Sequence, residues 1–420
     1  MGHQWNLNQY ITYILLTLVF LSSWTDINGM YAELPQVILT QPESWKLGAN
    51  LALITNFGNI SPLILVLIKC LYRKHTLNPV PINYIVILIG MLSCFLLIFL
   101  WSYTTVIANV RRSTALLTLA LFLSLLDCTS SVSFADYIHR FRKEFTSAFF
   151  LGESLTFTIP SLLAIAQGNG RIRCVQTING TNITEAIYEP PRFSVSIYFL
   201  CLFILLTISF ISFVLLQWTS IARNANQIVP EESLEIMNTI DKKEKSLTTP
   251  CYILLSLGCA YISSIVFGMI LSISAYALMP YGHNIFYLGT ILSPWMLTFV
   301  WILGIIKPIL PKCFILILII LGSFTFALIM YVSFKSPCPP WVDTTKGSAL
   351  ILFIWLSNYI LLGYPRLIIA NYIRTYSPNG MFWFGVQVQF GGLVGSIISY
   401  LFIETFSLFR ERIPCEQYNC

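Results

Sequence analysis

QYITYILLTLVFLSSWTDINGMYAELPQVIL, residues 9–39, begins as a mostly apolar run and becomes more polar in its second half without ending. A membrane-spanning helix needs about 20 apolar residues, so this stretch is long enough to span a bilayer. A cleaved signal peptide is not expected, because residues 1–8 lack Lys and Arg and no small-x-small cleavage site follows. We predict a long first transmembrane span that Gly29 and Pro35 interrupt.

The polar residues of this stretch divide between two helical faces. Asn28 and Tyr31 share one face with two further residues, and the i, i+4, i+7, i+11 spacing of that face covers Trp24, Asn28, Tyr31 and Pro35. Asp26 and Glu33 share another face. An aromatic belt at the membrane interface would explain Trp24 and Tyr31, but not Asn28 or Glu33. We therefore favour a first span that lines a pore, since a broken helix is tolerated at membrane depth only where a cavity or protein satisfies its backbone.

The rest of the chain repeats the apolar pattern. Of its 420 residues, 56% are hydrophobic and 10% charged, and the mean hydropathy is +0.75, whereas a soluble domain has about 25% charged residues. Ten further apolar runs follow, at about residues 48–71, 79–103, 113–135, 146–168, 193–217, 250–280, 282–305, 313–334, 347–373 and 381–409. The sequence therefore predicts an all-α polytopic membrane protein of about eleven transmembrane helices, with the lipid bilayer as its surroundings.

Several function classes have no sequence support. There is no phosphate loop, nucleophile elbow or paired catalytic arrangement, so neither an enzyme nor an ATP-driven pump is expected. The 11 Cys and 4 His show no metal-ligand spacing, and no cofactor is predicted. Lys and Arg lie mostly in the gaps between apolar runs, which is typical of membrane topology and not of nucleic-acid binding.

A charged stretch at residues 218–249 divides the runs into six plus five. One interpretation is an ordinary cytosolic loop; we favour a cytosolic linker between two transporter bundles that rock against each other. The predicted domains are then an N-terminal six-helix bundle, residues 1–217, the linker, and a C-terminal five-helix bundle with a short tail, residues 250–420.

Two glycosylation acceptors, Asn179 and Asn182, lie in the loop after the fifth run and favour an extracellular loop. Together with a weak bias of Lys and Arg toward the opposite side, this predicts a cytosolic N-terminus and an extracellular C-terminus. Four cysteines then lie outside, where disulfides form: Cys174, Cys338, Cys415 and Cys420. We expect Cys338 to pair with Cys415, because the two segments that carry them emerge on the same side of the C-terminal bundle.

Charged side chains inside apolar runs are costly in lipid and should face a cavity or a partner. Five carboxylates lie in or beside the runs: Asp26, Glu33, Asp127, Glu153 and Glu404. Arg366 is a candidate partner for one of them, or else a side chain that snorkels to the interface. The later runs carry amides and aromatics, which suit a neutral ligand with a flat ring and hydroxyls. Gly391, Gly392 and Gly395 are interpreted as a helix-packing surface.

Several motifs resemble the eukaryotic riboflavin transporter family. They include the run from Trp24 to Pro35, then Pro42-Glu43-Ser44-Trp45, Gly58-Asn59, Phe149–Gly152, Ala166-Gln167-Gly168, Met279–Gly282, and Trp383 with Gln389. The resemblance implies a fold similar to equilibrative nucleoside transporters and plasma-membrane uptake of riboflavin without ATP. Three positions depart from the family pattern, namely Glu153 where Gln is expected, Ser44 where Gly is expected and Arg366 where Lys is usual.

Riboflavin joins a flat ring to a hydroxylated tail, as the residue chemistry suggests. The predicted cavity set is Trp24, Asn28, Glu33, Asn59, Glu153, Trp295, Tyr364 and Gln389. A ligand bound between the two halves near the middle of the membrane is expected, with its ring stacked on Trp24 or Trp295. Two alternatives stay open at this point: an equilibrative carrier of nucleosides, which also join a planar base to a polyol, and a ligand-sensing membrane receptor.

Overall fold

The computed structural model describes residues 6–71, 78–138, 140–176, 184–224, 249–306, 310–376, 380–416, 418 and 420. The first half contains α1 (Leu7–Phe20), α2 (Thr25–Val37), α3 (Leu47–Phe57), α4 (Ile60–Leu71), α5 (Pro79–Leu100), α6 (Thr114–Ile138), α7 (Thr146–Gln167), α8 (Val195–Trp218) and the short α9 (Ile221–Asn224). The second half contains α10 (Thr249–Ser263), α11 (Ile270–Leu278), α12 (His283–Ile306), α13 (Lys312–Phe334), α14 (Thr345–Tyr376) and α15 (Gly380–Tyr400). A π-helical segment, Ser264–Met269, joins α10 to α11, and another, Leu401–Thr405, follows α15.

The prediction of an all-α polytopic membrane protein is confirmed. Within the described ranges, 9 helices are long and apolar enough to cross a membrane, and the bent pair α1 and α2 brings the number to 10. The second apolar run is also helical, but it is split into α3 and α4 around Gly58 and Asn59. Two short antiparallel hairpins, Thr105–Ile107 with Val110–Arg112 and Arg171–Gln176 with Thr184–Glu189, extend the connections between helices.

The first span is interrupted, as expected, but the predicted position of the break is wrong. The two helices bend by 51° between Phe20 and Thr25, and α2 continues through Gly29 and Pro35. The amides of Ser22 and Ser23 bond three residues back, to Val19 and Phe20, and form a tight turn. Serine hydroxyls compete for such backbone groups and weaken a helix locally.

Gly29 serves close packing and not a break. A Cβ at this position would lie 2.5 Å from Cδ1 of Leu202 in α8. The glycine therefore lets α2 approach α8 closely while the helix continues.

The helices contact one another mainly within each half. In the first half α5 packs on α6 and α8, and α1 packs on α7 and α8; in the second, α14 packs on α12 and α13, and α10 on α15. Contacts between the halves are made by α7 with α12 and by α3 with α11 and α15. The predicted domain boundaries stay a prediction, and residues 225–248 of the predicted linker lie outside the described residues.

Two disulfides lie at one end of the bundle, which we call the disulfide end. Cys174 pairs with Cys415 and Cys338 with Cys420, with Cα–Cα distances of 5.5 and 5.4 Å. The expected Cys338–Cys415 pair is therefore wrong. The topology placed all four cysteines on one side, but the choice of partners depends on how the hairpin at 171–189 folds over the C-terminal tail. The predicted glycosylation acceptors Asn179 and Asn182 lie outside the described part of the chain.

Candidate functional site

The helix α2 leaves one narrow face uncovered. Of its residues, all of which the structure describes, only Asn28 and Tyr31 are not buried, and Trp24 just before it is also partly exposed. These are three of the four residues that the helical spacing assigns to one face. Asp26 and Glu33, on the other predicted face, are completely buried. The open face thus combines an amide, a phenol and an indole at membrane depth.

Two hydrogen bonds orient this face. Asn28 Nδ2 donates to the carbonyl of Thr156 in α7 at 3.2 Å, with the Thr156 hydroxyl at 3.5 Å. The hydroxyl groups of Tyr31 and Thr55 lie 3.2 Å apart and join α2 to α3. The amide oxygen of Asn28 and the ring faces of Tyr31 and Trp24 are the chemical groups that such an arrangement can offer to a ligand.

A pair of opposite charges lies between the halves. Glu153 of α7 and Arg366 of α14 interact electrostatically. Both lie deep inside the protein and both keep part of their surface exposed, which is typical of side chains that line an internal cavity. The Arg366 guanidinium also lies 4.5 Å from the ring centroid of Phe267, a distance at which a cation–π attraction operates. This electrostatic interaction supports the interpretation that Arg366 is the partner of an intramembrane carboxylate and indicates Glu153 as that carboxylate.

Asn59 and Gln389 also meet across the halves. The side-chain amide of Asn59 donates to the backbone carbonyl of Gln389 at 3.4 Å. Asn56, three residues earlier, donates to the carbonyl of Ala52 and lies 3.5 Å from the carbonyl of Phe267. The middle of α15, which carries Gln389, is thus tied to the break between α3 and α4.

The other three predicted site residues differ in their surroundings. Trp295 of α12 donates from Nε1 to the Ser161 hydroxyl of α7 at 3.0 Å; Ser161 lies five residues, or about 7.5 Å along the helix axis, from Thr156. Glu33 is fully buried and accepts from Gln167 Nε2 at 2.8 Å. Tyr364 lies near the protein surface. The structure therefore joins Asn59 to Gln389 and Glu153 to Arg366 across the boundary between the halves, and Trp295 lies on the same boundary through Ser161. Trp24 and Asn28 lie on the open face of α2, and Glu33 lies inside the first half.

The disulfide end is closed by contacts between the halves. The Glu404 carboxylate, which follows α15, lies 3.3 Å from Lys46 Nζ, 3.2 Å from Arg112 Nη1 and 3.2 Å from Asn50 Nδ2. Glu411 accepts from the Trp45 amide at 3.2 Å, and burial raises the pKa of its carboxyl while hydrogen bonds from Ser44 and Trp45 oppose the rise. The Cys174–Cys415 disulfide adds a covalent link between the same two parts of the chain.

Further contacts between the halves are made at and near α7 and α12. Tyr287 donates to the carbonyl of Ala164 at 2.8 Å, and Asn169 bonds to Asn284 at 2.5 Å. Together with the Glu404 cluster and the disulfide, these contacts separate the central charged pair from the disulfide end.

Two residues of the candidate site could not be identified from the sequence. Phe267 lies in an apolar run in which no charged residue marks it, and only the fold shows that its ring underlies Arg366. Thr156 is one of several hydroxyl residues in its span, and nothing in the sequence marks it as the partner of Asn28. The π-helical segment that holds Phe267 is a structural signal of the kind often found at functional sites.

Comparison with solved structures places this fold among transporters. A bacterial homologue of the human lysosomal transporter Spinster, in an inward-facing and unoccupied conformation, superimposes with a TM-score of 0.55 over 96% of this chain and 83% of that one, at 14% identity. The nucleoside transporter NupG also gives 0.55, over 96% of this chain and 92% of that one, at 13% identity. At such identities the likeness concerns the fold alone.

Proteins related in sequence identify the family much more specifically than the fold does. Solute carrier family 52, riboflavin transporter, member 3-A of Danio rerio is 31% identical over 95% of this chain and 97% of its own length. Member 3 of Homo sapiens is 26% identical over 97% and 98%. The sequence model of the family described as "Solute carrier family 52, riboflavin transporter" matches residues 8–411. These matches confirm the resemblance seen in the motifs, so this chain is a solute carrier and not an enzyme, and it belongs to the riboflavin transporters of solute carrier family 52.

Proposed function

We propose that this protein carries riboflavin across the plasma membrane by alternating access, without ATP. Membership of the family supports the substrate, and the Glu153–Arg366 pair is the observation that supports the mechanism. One charge belongs to each half, and both keep exposed surface deep inside the protein. A ligand bound beside them would contact both halves, as alternating access requires.

The site chemistry suits riboflavin. Its flat tricyclic ring can stack on Trp24 or Tyr31, its dione edge can accept from Arg366, and its ribityl hydroxyls can donate to Glu153 and the Asn28 amide oxygen. An aromatic contact contributes about 0.5–1.5 kcal/mol beyond its buried area. The carboxylate of Glu153 accepts hydrogen bonds where the family pattern has a Gln amide, so it would bind hydroxyl donors and pair with Arg366 at once.

The closed disulfide end supports an orientation. Disulfides persist in oxidising compartments, so Cys174–Cys415 and Cys338–Cys420 favour an extracellular C-terminus and, with the eleven spans predicted from the sequence, a cytosolic N-terminus. The central pair is then separated from the outside by the Glu404 cluster. In transport, the halves 1–217 and 250–420 would rock so that these outer contacts open.

Uptake of labelled riboflavin into proteoliposomes that contain only this protein tests the function. We expect saturable, ATP-independent accumulation and accelerated exchange when unlabelled riboflavin is loaded inside. Unlabelled uridine in excess should leave riboflavin uptake unchanged. Exchange of uridine but not of riboflavin would identify a nucleoside carrier and contradict the proposal. Binding without any uptake would instead identify a receptor.

Asn28 offers a first test of the site. Asn28→Ala removes the amide that bonds to Thr156 and leaves that buried carbonyl without its partner, a loss of about 1–3 kcal/mol. We expect riboflavin uptake at subsaturating concentration to fall about 5- to 150-fold, at normal surface abundance measured by biotinylation. Asn8→Ala, the same substitution near the start of the first span, should transport normally. Equal uptake by both variants would remove Asn28 from the site.

A further inference from the structure

Two carboxyl groups that the transport site does not use face each other inside the first half. Asp26 lies in the first turn of α2, directly after the break in the first span, and Asp127 lies in the middle of α6. Both residues are 0% exposed. Their carboxyl groups lie within hydrogen-bonding reach of each other. They join the broken first span to a helix of the same half.

Donor groups are scarce around this pair. Asp26 Oδ1 accepts from the amide of Ile27 at 2.9 Å. Asp26 Oδ2 and both carboxyl oxygens of Asp127 receive no hydrogen bond from any donor of the described residues. Buried carboxylates normally accept several hydrogen bonds, because an ionised group without partners is very costly at low dielectric.

Hydroxyl groups that could have bonded to the carboxyls bond to carbonyls instead. Ser130 Oγ donates to the backbone carbonyl of Asp127 at 2.8 Å and approaches that of Ser23 at 3.3 Å. Ser131 Oγ donates to the same Asp127 carbonyl at 3.2 Å. A doubly ionised pair would attract these donors, so their orientation fits a pair that carries a proton.

Among the described residues, no cationic side chain interacts with the pair. The thiol of Cys94 in α5 and that of Cys128 in α6 interact with Asp26. The other helices that pack on α2 direct their ionisable groups elsewhere: Glu153 of α7 interacts with Arg366, while Tyr198 of α8 and Tyr287 of α12 interact with Glu33. Two adjacent carboxyls without a cation cannot both ionise readily, so such a pair retains a proton.

We propose that Asp26 and Asp127 form a proton-binding site, in which one carboxyl donates a shared proton to the other and thereby holds the start of α2 against α6. Asn28 lies two residues beyond Asp26 on the open face of α2. Loss of the proton would create two like charges in contact and separate the helices, which would displace Asn28. Transport should therefore decline as the pH rises. The existence of the proton-binding site does not depend on which substrate the protein carries.

Infrared difference spectroscopy on the purified full chain tests the site directly. The wild type minus Asp26→Asn spectrum at neutral pH should contain a protonated-carboxyl band that shifts in heavy water, and the wild type minus Asp127→Asn spectrum should contain the same band. Asp343→Asn removes an exposed carboxyl that pairs with Arg412, and its difference spectrum should lack this band. Because Asp26→Asn and Asp127→Asn each test the site, the experiment can still be read if one of the two variants does not fold.

A functional measurement follows from the same chemistry. In Asp26→Asn the amide still donates to Asp127 but cannot release a proton, so uptake should lose the decline with rising pH that the wild type shows. The proposal is overturned if both difference spectra contain only ionised-carboxylate bands. It is also overturned if sodium chloride, but not choline chloride, raises the wild-type melting temperature while the protonated band is absent, since a metal ion would then occupy the pair. Neither spectrum depends on riboflavin transport.

Discussion

Gly395→Leu is expected to prevent the folding of this protein. A Cβ at Gly395 would collide with the backbone carbonyl of Ser264, and a Cβ at the facing Gly268 would lie 2.5 Å from the backbone nitrogen of Ser396. The backbone of α15 thus touches the π-helical segment 264–269 directly, and backbone atoms cannot move aside as a flexible side chain can. Even Gly395→Ala should cost about 1–3 kcal/mol, and a leucine more, against a total stability of about 5–15 kcal/mol.

Gly385 provides a matched control on the same helix. A Cβ at this position would meet nothing within 4 Å. Gly385→Ala should stabilise the helix by about 0.5–1 kcal/mol, because alanine loses less backbone entropy than glycine, and Gly385→Leu should still fold. Size-exclusion chromatography of fluorescent fusions, followed by melting curves, measures both. If Gly395→Leu eluted as a sharp monodisperse peak with the wild-type melting temperature, the close crossing of α15 would be wrong.

The second large effect is expected at Arg366. Arg366→Met removes the charge partner of Glu153 and leaves that carboxylate in the interior without its cation. Breaking such a buried pair costs about 3–5 kcal/mol, so riboflavin uptake should fall by about 100-fold or more. The double variant Glu153→Gln, Arg366→Met removes both charges and should recover folding and surface abundance but not transport, because the ligand-binding charges are gone.

An exposed ion pair provides the control for this experiment. Arg173 Nε lies 2.8 Å from Glu189 on the hairpin at the disulfide end, and both side chains are accessible. Surface pairs contribute about 0–1 kcal/mol, so Arg173→Met should transport normally. Surface biotinylation separates loss of transport from loss of protein. Wild-type transport by Arg366→Met, or full transport by the double variant, would exclude the pair from the transport cycle.

The open face of α2 shows which features of the site helical periodicity alone can predict. Helical spacing assigned Trp24, Asn28 and Tyr31 to one face, and the fold leaves these three partly exposed while Asp26 and Glu33 are buried. The spacing could not locate the break, which lies between Phe20 and Thr25 and not at Gly29 or Pro35. Glycine and proline allow a helix to break but do not require it. Whether the helix is interrupted depends on what packs against them, as Leu202 packs against Gly29.

The partners of charged groups also required the fold. The sequence identified five intramembrane carboxylates and one deep arginine, since any charge in an apolar run needs a reason. It could not show that Glu153 interacts with Arg366, that Glu404 binds Lys46 and Arg112, or that Asp26 faces Asp127. Each of these contacts joins residues more than 90 positions apart, and hydropathy carries no information about such distances.

By itself, the sequence determined the membrane class, the approximate number of spans and the family, because these depend on the length and polarity of local segments and on short motifs. Only the tertiary structure decided that Cys174 pairs with Cys415 and Cys338 with Cys420. All four thiols lie at the same end of the bundle, so hydropathy and topology treat them as equivalent. A disulfide requires Cα atoms about 4.4–6.8 Å apart, and that distance is set by how the helices and the tail pack together.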